Sequence, residues 1–99
     1  MTTRIHRSTG NVFVDIGFPP EEAAHLLIRS DLMIQLTKLL KERGLTQVRA
    51  AKLLGVTQPR VSDLMRGRIE LFSIDMLVEM LSRLGIGVTV KTKRKSRVA

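Results

Sequence analysis

Apolar residues recur at helical spacing through most of this chain. Ala23, Leu26 and Leu27 are followed by Leu32, Met33, Leu36, Leu39 and Leu40. Steps of three and four put such residues on one face of a helix. Pro19–Pro20 opens the stretch, because proline is tolerated in a first turn. Glu21 and Glu22 follow, where negative charge complements the helix dipole. Ser30–Asp31 has the chemistry of a cap in mid-stretch. The pattern predicts two helices, about 20–29 and 31–43, ended by Gly44 after the basic Lys41 and Arg43.

Shorter units come next. Thr46 is a candidate N-cap for a helix near 46–54, and Gly55 breaks it. Thr57 caps a further helix, 57–66, with Pro59 in its first turn and Gly67 at its end. Ser73 opens a helix near 73–84, with Ile74, Leu77, Val78, Leu81 and Leu84 on one face and Gly85 as its stop. Two stretches have strand character. Residues 86–92, IGVTVKT, alternate and are β-branched, and 12–16 (VFVDI) is a short extended candidate. A lone strand leaves backbone groups without partners. Residues 86–92 must therefore pair with residues 12–16 of the same chain, across a dimer, or with another protein.

The expected fold class is mainly α, with five helices and a short C-terminal β element. The organisation is one domain over 19–92, an extended N-terminal segment over 1–18, and a disordered basic tail over 93–99.

Composition narrows the function. There are no cysteines, so no disulfide framework or cysteine-based zinc site exists. His6 and His25 have no metal-ligand spacing, and no paired carboxylates or Gly-rich phosphate loop appear. No enzyme, cofactor or metal is expected. No apolar run approaches the roughly 20 residues that span a bilayer, and no apolar core of a signal peptide is present. The expected location is the cytoplasm, with no membrane partner.

The charge is uneven. The net charge is +8. Residues 1–45 hold six Lys/Arg against five Asp/Glu, whereas 46–68 hold five against one. The C-terminal KTKRKSR adds more positive charge. A near-neutral front and a basic rear fit a polyanion partner.

The two short helices at 46–66 form a helix-turn-helix pattern. Counted from Gln47, its fifth residue is Ala51, its ninth Gly55 and its fifteenth Val61. A small residue at Ala51 lets the helices cross closely, and Gly55 supplies a positive φ. Val48, Ala51 and Leu54 on the first helix, with Val61, Leu64 and Met65 on the second, would face the core. Ala51, Gly55, Val61 and Leu64 are fold residues under any reading.

The opposite face offers chemistry for duplex DNA. Gln58 can bond adenine bidentately, Arg60 guanine, and Asp63 can accept from cytosine N4. Pro59 offers apolar contact to a thymine methyl. Thr46, Gln47, Thr57, Ser62 and Arg66 are placed for the phosphate backbone, which sets register without reading sequence. For Arg60 the alternative is pairing with acidic neighbours, and for Asp63 a helix-surface charge. Arg49, Lys52 and Arg68 form a basic surface.

The pattern Thr-Gln…Ala…Leu-Leu-Gly…Thr-Gln…Val-Ser…Arg-Gly resembles the XRE (Cro/phage-repressor) helix-turn-helix family over about residues 31–85. Over nearly the whole chain, GFPPEEA, LTQ, GVTQPRVSDLMRG, LFSIDML and LGIGVTVK look like HigA-type antitoxins. The resemblance implies a lambda-repressor-like domain, a homodimer on its own promoter, and a RelE/HigB-like toxin as protein partner. It carries Gln47, Thr57, Gln58, Arg60 and Ser62 over as DNA contacts. Pro59 departs from the polar base reader frequent at that position in the broader class. The N-terminal segment 1–18, helix 20–29 and the terminal strand are the candidate toxin surfaces.

Overall fold

The structure is a computed structural model, in which residues 2–3 and 12–94 are described. Its elements are β1 (Thr2–Thr3), α1 (Val12–Asp15), α2 (Pro20–Glu42), α3 (Gln47–Leu54), α4 (Gln58–Met65), a 3-10 turn (Ile69–Leu71), α5 (Ile74–Arg83) and β2 (Gly87–Val88). Among the described residues the fold is mainly helical with five α-helices, though they are not the five that the sequence pattern predicts.

The first difference is α2, one helix of 23 residues where two were expected. Ser30–Asp31 does not interrupt it. Serine and aspartate each cost about 0.5 kcal/mol against alanine inside a helix. Burying Leu26 and Leu32 returns roughly 1.5–3 kcal/mol each, so packing decides. The stripe through Leu26, Met33, Leu36 and Leu40 also keeps one helical phase across residue 30, as a single rod requires.

The second difference is at 12–16, where a helical turn replaces the expected extended piece. The amide of Phe18 donates to the Phe13 carbonyl at 3.0 Å, and that of Gly17 to Val14 at 3.0 Å. Gly17 has φ +108°, and the Phe13 and Phe18 rings meet edge to face at 6.1 Å. These are the paired bonds and apolar contact of a Schellman ending. Together they outweigh the β preference of Val12 and Val14.

The same ending closes the other four helices. Leu45→Leu40, Val56→Ala51, Arg68→Asp63 and Ile86→Leu81 are the outer bonds, following Gly44, Gly55, Gly67 and Gly85. At the opposite ends, the side chains of Thr46, Thr57 and Ser73 accept from the amides of Arg49, Arg60 and Met76, as expected of N-caps. Pro20 begins α2 without a side-chain cap.

The core lies where α2 and α5 meet the α3–α4 pair. Leu32, Leu36, Leu54, Val61, Leu64, Phe72, Leu77 and Leu81 are its fully buried side chains. Met80 and Phe72 belong to it although the helical stripes did not nominate them. On α3 the inner residues are Ala50, Ala51 and Leu54; Val48, assigned inward from sequence, is 50% exposed. An eight-residue helix wedged between α4 and the body turns a narrow face inward, and Ala50 takes the place assigned to Val48.

The terminal strand is shorter than expected and pairs within the chain, but with Thr2–Thr3 and not with 12–16, whose backbone is taken up by the helical turn of α1. β2 runs parallel to β1, with Thr2 opposite Gly87 and Thr3 opposite Val88. Of the expected tail, Lys93 and Arg94 are exposed without regular structure, and 95–99 lie outside the described residues. Arg43 closes the far end of α2: its Nη2 donates to the Leu84 carbonyl at 2.7 Å, tying α2 to the end of α5.

Candidate nucleic-acid interface

Two N-terminal turns define the candidate interface, those of α3 and α4. Each is capped by a threonine, and each leaves polar side chains outside. Thr46 and Gln47 are exposed at the start of α3, and Thr57, Gln58 and Pro59 at the start of α4. Ser62 and Asp63 are half-buried one turn on, and Arg66 is exposed at the C-cap. Beneath them, Ala51, Val61 and Leu64 are 8%, 1% and 0% exposed. The two helices are thus fixed by their inner faces while their first turns stay free.

Gly55 sets the turn between them. Its φ is +72°, and a Cβ there would lie 2.9 Å from Cζ of Arg83. That guanidinium belongs to a long side chain and can swing aside, so the backbone conformation dominates the cost. Gly55→Ala is expected to lose about 1–2 kcal/mol of stability, read from urea denaturation. Gly55→Asn should lose less, because asparagine tolerates the left-handed region. Equal losses would assign the cost to the Arg83 contact.

Arg60 is the residue whose surroundings differ most from expectation. Its Nη1 donates to the Leu71 carbonyl at 3.3 Å, and its Cζ lies 5.5 Å from the centroid of the Phe72 ring. The alternative was an acidic partner; the structure gives a carbonyl and an aromatic face. Arg29, which the sequence did not nominate, supports the same segment from α2. Its Nη1 lies 3.4 Å from both the Ile69 and Phe72 carbonyls. The signal that was available is composition: Phe72 is the one aromatic residue after Phe18.

Asp63 pairs weakly with Arg68, Oδ1 to Nε at 4.0 Å, with the two side chains 30% and 52% exposed. Exposed pairs contribute between nothing and about 1 kcal/mol, so a base or a phosphate could separate them at little cost. Arg49 and Lys52 border a shallow depression on the outer side of α3, floored by Leu45 and Leu53. Among the described residues no group of three or more His, Cys, Asp or Glu could hold a metal ion. No described helix is long and apolar enough to cross a membrane.

Comparison with known proteins agrees with this geometry. Residues 12–93 match the model of a helix-turn-helix domain family. The chain is also similar to a solved structure titled "Putative XRE Family Transcriptional Regulator", at 31% identity and a TM-score of 0.69. That match covers 79% of this chain and 90% of the other. No curated protein sequence matches.

Proposed function

This chain belongs to the XRE-type helix-turn-helix family, and from that premise we propose that it is a sequence-specific DNA-binding transcriptional repressor. One observation carries the reading: the α3–α4 unit, pinned by Ala51, Val61 and Leu64, presents the exposed first turn of α4 with Gln58 and Pro59 at its tip. A major groove admits a helix presented in this way. Gln58, Pro59, Arg60 and Asp63 read bases in this proposal. Thr46, Gln47, Thr57, Ser62 and Arg66 hold the backbone. The protein acts as a homodimer in the cytoplasm, with recognition helices about 34 Å apart, and as a binding protein rather than an enzyme.

The narrower proposal is an autoregulating antitoxin with a RelE/HigB-like toxin partner. Its support is the resemblance of the motifs together with a surface outside the helix-turn-helix. Val12, Val14, Ile16, Phe18 and Ile34 are 36–65% exposed on and beside α1. Clustered exposed apolar residues mark protein contacts. A stand-alone regulator without a toxin is one competing reading, and a toxin-neutralising interaction module with no specific DNA binding is the other.

Binding to the gene's own upstream DNA, against a scrambled duplex, tests the first proposal. A preferred complex with a two-fold footprint is expected, and no preference would refute it. Co-expression with an adjacent RelE-like reading frame tests the second. Rescue of growth is expected, and Ile16→Asp with Ile34→Asp should abolish rescue while DNA binding persists. Toxicity unrelieved by this chain would leave the stand-alone regulator.

A further inference from the structure

Arg60 occupies the third position of α4, in the turn that a recognition helix presents first to the groove. A free arginine there would sample many rotamers before finding a base edge. This one is held at two points. One N–H donates to the Leu71 carbonyl, and the guanidinium lies over the Phe72 ring. Arginine carries five N–H donors in a rigid fork. One bond to a carbonyl and one covered face leave donors for a duplex. The platform is itself fixed: Phe72 is 1% exposed, its amide donates to Ile69, and Arg29 lies against the carbonyls on either side of the turn.

We propose that Phe72 and the Leu71 carbonyl form a seat that presents Arg60 as a guanine reader, so that a core residue without DNA contact sets part of the sequence preference. The inference rests on the DNA-reading proposal and adds a positioning residue to it. Functional side chains read accurately when a supporting shell locks their rotamer. A planar guanidinium suits such a seat, because it stacks on an aromatic face and still offers a bidentate edge.

The test begins with duplexes selected from a randomised pool by the intact protein. Affinities follow for the selected duplex, its single-base substitutions and random DNA. Arg60→Ala should reduce the preference for guanine at one position by about 10- to 100-fold. Phe72→Leu, which keeps an apolar side chain and removes the ring, should reduce the same preference about three- to tenfold, by analogy with the loss of an arginine–aromatic contact. Its affinity for random DNA should stay within about twofold of the parent, since phosphate contacts carry that term. In the Arg60→Ala background, Phe72→Leu should change the preference no further. Additive losses, or an equal loss on selected and random DNA for Arg60→Ala, would overturn the proposal.

If Phe72→Leu does not fold at the assay temperature, Phe72→Met decides. Methionine is flexible enough to fill the space but offers no aromatic face, so guanine preference should again fall about three- to tenfold with the salt slope unchanged. Retained preference would overturn the seat. Failure of the parent protein to select any sequence would instead bring down the repressor reading from which the seat follows.

Discussion

Replacing Leu64 by alanine is expected to lower the unfolding free energy by about 2–5 kcal/mol, the range for a buried leucine that leaves a cavity. Leu64 is fully buried, on the inner face of α4 beside Val61. Domains of this size are stable by only about 5–15 kcal/mol, so a large share of the total would be lost. The thermal midpoint should fall by roughly 10–40 °C. The loss should appear in DNA binding as well, because α4 is held in place through this residue. Urea denaturation is the direct check, with Asp63→Ala as the comparison. Asp63 is partly exposed and its ion pair is long, so its removal should change stability by less than about 1 kcal/mol. A Leu64→Ala loss under 1 kcal/mol would mean that α4 is not anchored there.

The second large effect concerns salt. Operator affinity should fall by about 10³- to 10⁵-fold between 50 and 200 mM salt if a dimer makes 6–10 phosphate contacts. The cations available are fewer than the net charge of +8 suggests. Arg29, Arg43 and Arg60 direct N–H groups at carbonyls of their own chain. Arg49, Lys52, Arg66 and Arg68 remain exposed near α3 and α4, and Lys91, Lys93 and Arg94 lie beyond β2. Deleting residues 91–99 should flatten the slope of log affinity against log salt if that end touches the duplex. A slope unchanged by the deletion would confine phosphate contact to the helices. A slope near zero in the intact protein would refute the whole electrostatic account.

Much of this architecture was legible because helix ends are local. Thr46, Thr57 and Ser73 announce starts, and Gly44, Gly55, Gly67 and Gly85 announce stops, through bonds spanning only a few residues. Gly17 carried the same message, but its helix was too short to show a period, and Val12–Phe13–Val14 read as a strand. Ser30–Asp31 misled for the opposite reason. Capping chemistry was present, but buried leucines on both sides made continuation the lower-energy course. At the candidate interface, the exposed tip Gln58–Pro59 and the buried Ala51, Val61 and Leu64 followed from spacing alone. The seat of Arg60 did not, because it depends on where a turn eleven residues later returns in space. Arg29 was hidden for the same reason, forty residues from its carbonyl partner at Ile69.

The pairing of Thr2–Thr3 with Gly87–Val88 joins positions separated by nearly the whole chain. Closing so long a loop from the unfolded chain costs on the order of 4 kcal/mol, whereas each hydrogen bond returns only about 1. The pairing can therefore form only after the helices have drawn its two sides together. Assembly has a built-in order, with local helix pairs first and the small sheet last. Loss follows the reverse order. Amide protons at Gly87 and Val88 are expected to exchange with solvent through small openings that leave the core intact, and those of Leu64 and Leu77 only when the whole molecule unfolds.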